Sequence, residues 1–292
     1  MFKTTKSTLI RALAGATVLA AAGTMPASAG MGCDASLTKA REIATAAING
    51  NGKDAGETVT AMHAKYENDA KARLNAYSTA IDNEAANFEK VEAAVQESVN
   101  CFSAAEAKLA SMPADKRAKK MAAIRQGNEE AGTLLNTAMA AISKRVSTFD
   151  QALLVETNAE GVNLATINRL AYLGRVGEET AAAAPTAAEL NDTQPAAGSM
   201  FLTLASLAAL SEADPMAVEV GIATGSEASS QAAEAEEGEW TVSTSDMQEM
   251  KAADMLDELQ AAGRSGQKLL ALYDRTRATI AAQQALAGKL GE

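Results

Sequence analysis

LNAYSTAIDNEAANFEKVEAAVQESVNCFSAAEAKLASM, residues 74–112, contains neither proline nor glycine, and its larger apolar side chains recur three and four residues apart. Leu74, Tyr77, Ile81, Phe88, Val91, Val95, Phe102, Ala105, Leu109 and Met112 fall on one helical stripe, interrupted at Glu84 and Ser98. A heptad seam sustained for this long marks a helix that buries one face against another helix. The run without breakers extends back to Glu57, so the spacing predicts one helix over 57–112.

Pro113 stands where a first-turn proline is tolerated. Beyond it Met121, Ile124, Ala131, Leu135, Ala138, Ile142, Phe149 and Leu153 repeat the same spacing, with Asn128 as the polar interruption. Two such helices joined by a short connection fold as an antiparallel hairpin. The expectation is a hairpin over 57–158 that turns at 112–114. It should bury Phe88, Val95, Phe102 and Leu109 against Ile124, Leu135 and Ile142.

Hydrophobic residues make up 47% of the chain and aromatics only 3%, and about half of the apolar content is alanine. Alanine is the strongest helix former and has the least side chain to bury. The predicted fold class is therefore all-α: an elongated antiparallel bundle, a coiled-coil hairpin with thin seams, rather than a thick globular core. A third long helix is predicted over 245–290, with Met247, Met255, Leu259, Leu269, Tyr273, Ile280 and Leu290 on its buried stripe. Gly263 and Gly266 weaken its middle and point to a kink or a close helix crossing. Shorter helical segments at 34–48, 163–184 and 199–211 should cover the sides or ends.

Residues 1–29 read as a cleavable signal peptide. Lys3, Lys6 and Arg11 precede the apolar run ALAGATVLAAAG (12–23), and Ala27-Ser28-Ala29 supplies the small-x-small cleavage pattern, so the mature chain is expected to begin at Gly30. Residues 30–222 then form the bundle. The stretch ATGSEASSQAAEAEEGE (223–239) opens an acidic linker over 223–243 that ends near Trp240, and 244–292 is a C-terminal helix packing back on the bundle.

Loss of the signal removes three positive charges and turns the net charge of −11 into −14. Such a surface disfavours nucleic acid and anionic lipid. The best later candidate for a membrane span, SMFLTLASLAAL (199–210), is too short, so no integral membrane segment is expected in the mature chain. The predicted location is the periplasm or outside the cell. In the alternative reading, Gly32-Cys33 matches the end of a lipobox and the protein is a lipoprotein anchored at Cys33.

Cys33 and Cys101 both remain after cleavage, and an even pair in an oxidising compartment favours a disulfide, within or between chains. If the first helix folds back at the glycine-rich NGNGKDAG (49–56), Cys33 reaches about 23 Å along helix 57–112, whereas Cys101 lies about 66 Å along it. A disulfide needs Cα atoms within about 7 Å. The single-helix reading thus predicts cysteines too far apart to pair within one chain.

His63 is the only histidine, and with Glu67 it supplies two of the three or four ligands that a metal needs, so no metal and no cofactor is expected. A nucleophilic triad using histidine would also need this one residue, and no catalytic residue is assigned. In INRLAYLGR (167–175), Asn168, Arg169, Tyr172 and Arg175 crowd together as a candidate anion-binding patch. The expected function is that of an exported, non-enzymatic bundle that binds a protein partner or a second copy of itself, with no nucleic acid. The alternative is a soluble sensor or solute-binding bundle holding a small anion near Arg169, Tyr172 and Arg175.

Overall fold

The computed structural model describes residues 32–176 apart from 53, together with 201–218, 222 and 244–291. The expected signal segment, the acidic linker with Trp240, and residues 177–200 lie outside the described residues. Within them every regular element is helical: α1 Asp34–Ile48, α2 Ala55–Lys65, α3 Ala70–Ala107, α4 Ala114–Ala159, α5 Leu164–Val176, α6 Leu202–Ser211, α7 Thr244–Asp254 and α8 Leu256–Gly291.

The two longest apolar stripes meet in a single antiparallel register. Arg73 faces Glu156, Glu84 faces Arg145 and Phe102 faces Gly127, and in each pair the residue numbers total 229. All seven predicted seam residues of α3, α4 and the connection between them are buried, none more than 4% exposed. Gly127 belongs to the seam for a steric reason, because a Cβ there would overlap the Phe102 ring. Helix α4 ends at Ala159 with Glu160 as its cap; Gly161 then takes φ +82° and the Val162 amide returns to the Thr157 carbonyl at 2.8 Å.

The predicted single helix 57–112 is not continuous. The chain leaves the helical path between Lys65 and Ala70, and α3 restarts with the Asp69 carboxylate accepting from the Ala72 amide at 2.9 Å. This is where the chain reverses. The first helix does not fold back at 49–56: Asn49–Asp54 is a step between α1 and α2, which climb one after the other along α3. The end of α1 lies beside Glu84 and Arg145, and the end of α2 lies beside Tyr77, with His63 and Tyr77 ring centroids 6.2 Å apart.

This placement overturns the expected separation of the cysteines. Cys33 and Cys101 form a disulfide within the chain, with Cα atoms 5.7 Å apart and a sequence separation of 68. Glu67, in the reversal, is the midpoint of that separation. Two helical arms of equal length therefore bring the cysteines level, whereas a reversal at 49–56 would have left them far apart.

Helix α8 runs antiparallel to α4 and parallel to α3. Asn128 Nδ2 donates to the Gln283 carbonyl at 3.0 Å, Gln283 Nε2 returns to the Asn128 carbonyl at 3.2 Å, and Tyr273 packs on Phe88 with centroids 5.1 Å apart. The predicted helix 245–290 is interrupted at Met255, and the N-terminal piece, α7, lies against α5.

Gly263 and Gly266 mark a close helix crossing within α8. A Cβ at Gly263 would overlap the Leu207 carbonyl, and one at Gly266 would lie 2.9 Å from the Leu204 carbonyl. Gln260 Nε2 donates to the Leu210 and Ala213 carbonyls at 3.3 and 3.0 Å, satisfying the C-terminal end of α6.

Two stability measurements follow from these contacts. Replacing both cysteines by serine should lower the unfolding free energy by about 2–4 kcal/mol in urea, relative to the oxidised protein; an unchanged midpoint would mean that the bond closes no loop in the folded chain. Gly263→Ala should cost about 1–3 kcal/mol through overpacking, and a neutral or stabilising effect would show that α6 does not cross at this point.

Candidate functional site

The predicted anion patch lies on α5, but its central charge is already engaged. Arg169 Nε stands 2.6 Å from Glu249 Oε1 of α7, with both side chains largely buried. Arg175, exposed, donates from Nε to the Ala171 carbonyl at 3.1 Å, and Asn168 and Tyr172 are half-buried. Glu249 thus occupies the place that an anionic ligand would take at Arg169.

Two arginines that the sequence reading passed over do more of the polar work. Arg145 of α4 grips Glu84 of α3 through two hydrogen bonds of 2.8 Å, and also donates to the Ala47 and Ile48 carbonyls at 2.7 and 3.1 Å. Arg73 of α3 repeats the device in the opposite sense. It grips Glu156 of α4 at 2.8 and 2.5 Å and donates to the Tyr66 and Glu67 carbonyls at 2.5 and 2.8 Å. Each guanidinium therefore joins three helices: it pairs with a carboxylate on its hairpin partner and caps the C-terminal end of a short helix.

Tyr77 lies inside the second of these clusters. Its hydroxyl is buried without a hydrogen-bond partner; burial, and then the Glu156 charge, push its pKa up to about 12, against the pull of Arg73. It stays protonated at neutral pH. His63, half exposed, has its Nε2 3.9 Å from Glu156. Among the described residues no three His, Cys, Asp or Glu side chains come together in a group able to hold a metal ion.

A polar opening lies between α3 and α8. It is a groove of about 490 Å³ with Asn75, Ser78, Thr79 and Asp82 on one wall and Ala261, Arg264, Ser265 and Lys268 on the other. The hydroxyls of Ser78, Thr79 and Ser265 donate to carbonyls four residues earlier in their own helices, which leaves their oxygens as acceptors toward the groove. Arg264 and Lys268, one turn apart and exposed, are visible in the sequence as a cation pair at helical spacing. Nothing in the sequence places them across a groove from Asp82, because that placement depends on the register of α8 along α3.

Asp150 of α4 is a buried carboxylate with a structural task. It accepts from the Leu204 amide at 2.7 Å at the start of α6, where Phe201 provides no side-chain cap. Burial raises its pKa above the ordinary 3.8, and hydrogen bonds from Leu204 and Thr203 only partly oppose the shift. A carboxyl whose folded-state pKa is raised binds more protons when folded. Its contribution to stability is therefore complete below about pH 3.8 and is lost as pH rises through the folded value. Asp150→Asn keeps the acceptor and removes the charge. The stability of the variant relative to the natural chain should thus increase with pH above about 4 and then level off; a difference independent of pH would contradict the assignment.

Comparison with family models, curated proteins and solved structures returned no match to this chain.

Proposed function

We propose that this is an exported protein which acts by binding another protein, or a second copy of itself, rather than by catalysing a reaction. The observation that carries the reading is how its buried charges are used. Arg73, Arg145, Glu84, Glu156, Asp150 and Arg169 each tie one helix to another, so the chemistry-bearing groups of the interior serve the scaffold and the polar faces of long helices form the working surface. Export is supported by the Cys33–Cys101 disulfide, a bond that persists in oxidising compartments. The same bond uses the sulfur that a lipid anchor would need, which favours a mature chain starting at Gly30 over a lipoprotein anchored at Cys33.

A second reading, a soluble bundle that senses or carries a small solute, is supported by the groove between α3 and α8. There Arg264 and Lys268 face Asp82, and none of the three has an ion-pair partner among the described residues. In this reading the ligand sits at that groove, because Glu249 already holds Arg169.

The test is to express the whole chain in an exporting bacterial host, sequence its N-terminus, and cross-link it in intact cells before mass spectrometry. The expected result is a chain beginning at Gly30, with oxidised cysteines, cross-linked to itself or to one dominant protein. A chain retained with Met1 and free thiols would overturn export, and the absence of specific cross-links together with saturable binding of a small solute would favour the second reading.

A further inference from the structure

We infer that the groove between α3 and α8 binds a small zwitterion of the α-amino acid class, its ammonium group on the floor against Asp82 and its carboxylate at the rim under Arg264 and Lys268. The inference rests on the second reading above, that of a solute-binding bundle, and names the class of solute. It begins with the register of the two helices. Arg275 Nη2 of α8 meets Glu89 of α3 at 3.4 Å across a sequence separation of 186, and nearer the start of both helices Lys71 Nζ meets Glu258 at 3.9 Å. Lys268 and Asp82 share the separation of 186, one heptad before Arg275 and Glu89. They do not close on one another, and instead stand on opposite walls of an opening of about 490 Å³.

Two features of the sequence make this opening. At 3.6 residues per turn, Gly263 and Gly266 lie on a face of α8 about 180° from the face of Ala261, Arg264, Ser265 and Lys268. The glycine face is seated against α6, where a Cβ at Gly263 would overlap the Leu207 carbonyl, and the other face lines the groove toward α3. The walls also carry small side chains at Ser78, Ala261 and Ser265, which leave the space between the helices unfilled.

The floor of the groove accepts hydrogen bonds. Ser78 and Ser265 are only 6% and 3% exposed, and their hydroxyl protons are already given to the Leu74 and Ala261 carbonyls at 2.9 and 3.3 Å. What each oxygen has left is lone pairs. Asp82, half-buried on the same wall as Ser78, adds a carboxylate. An ammonium group is a donor of three N–H bonds with nothing to accept, and Ser78, Ser265 and Asp82 offer it three acceptors in one groove.

The rim has the opposite character. Arg264 and Lys268 are exposed, one turn apart, and carry donors only, and a guanidinium grips a carboxylate through two N–H groups. A solute with both charges on neighbouring atoms uses both parts of the groove. A plain carboxylate brings a like charge to Asp82 and leaves the floor acceptors without a donor, while a plain amine brings a like charge to Arg264 and Lys268. The groove therefore discriminates against each half of the zwitterion taken alone.

Isothermal titration calorimetry of the exported, oxidised chain tests this with the common L-α-amino acids as probes. For the tightest of them, the amine lacking its carboxylate and the acid lacking its ammonium group are titrated as well. Two variants, Asp82→Asn and Arg264→Gln with Lys268→Gln, keep the volume of the groove and change its charge, and their thermal melts check that they fold. The expected result is saturable binding of at least one amino acid, weaker by about tenfold or more in each variant, with neither the amine nor the acid binding as tightly. An amine or an acid that binds as well as the amino acid overturns the zwitterion and leaves the solute-binding reading standing. Amino acid binding that ignores both variants overturns the groove as the site, again without touching that reading. No saturable binding of any amino acid, amine or acid overturns the inference and the solute-binding reading together.

Discussion

The bidentate arginine pairs, Arg145 with Glu84 and Arg73 with Glu156, are the constraint on which the rest of the bundle depends. Packing fixes the α3–α4 register sterically where Phe102 lies over Gly127, and the charges fix the same register at two further points. Arg73 and Glu84 on α3 stand eleven residues apart, as do Arg145 and Glu156 on α4, with the signs exchanged across the seam. A slip of eleven residues one way sets arginine against arginine, and the other way sets glutamate against glutamate. Smaller slips leave largely buried charges unpaired, which costs several kcal/mol. Because Arg145 also holds the Ala47 and Ile48 carbonyls at the end of α1, and Arg73 those of Tyr66 and Glu67 just past α2, fixing the hairpin register fixes where those short helices end.

Close approach supplies what side-chain volume does not. With few aromatics, the bundle brings helix backbones near one another, and glycine is the residue that allows it. Phe102 lies over Gly127, Leu207 and Leu204 lie over Gly263 and Gly266, and Ala213 lies over Gly174. Each large side chain or carbonyl meets a position where even a methyl group has no room, so these seams are dense despite their composition. The polar groups trapped in them are answered locally, as Asn128 and Gln283 answer one another and as Asp150 and Gln260 satisfy the two ends of α6.

The long stripes of α3 and α4 are legible in the sequence because periodicity is a local property, and the side chains of 74–112 and of 121–153 each carry it without an internal proline. The reversal at 66–69 is not legible in the same way. It contains neither glycine nor proline, and its one local sign, an aspartate three residues ahead of Ala72, is common in helix interiors as well as at caps. Its position is fixed from a distance, by Arg73 and by the disulfide, and misplacing it also misplaced Cys33. The patch on α5 shows the converse failure. Arg169, Tyr172 and Arg175 look like a binding set when only their own helix is considered, and Glu249, eighty residues away in sequence, gives Arg169 a partner. Neither the register of α8 nor the groove it makes with α3 is encoded in a contiguous stretch.

The bond between Cys33 and Cys101 makes α1, α2 and most of α3 a covalent ring whose far point is the reversal at Glu67. Tension applied to the chain ahead of Cys33 passes through Cys33 directly into α3 at Cys101 and from there to the hairpin tip, leaving α1 and α2 outside the load path. A single cut in the exposed step between α1 and α2 likewise opens the ring without dividing the protein, since both fragments stay joined through the sulfur bridge. Helices α1 and α2 and the part of α3 before Cys101 are therefore mechanically shielded, held to the rest by packing yet carrying none of the force that the hairpin transmits.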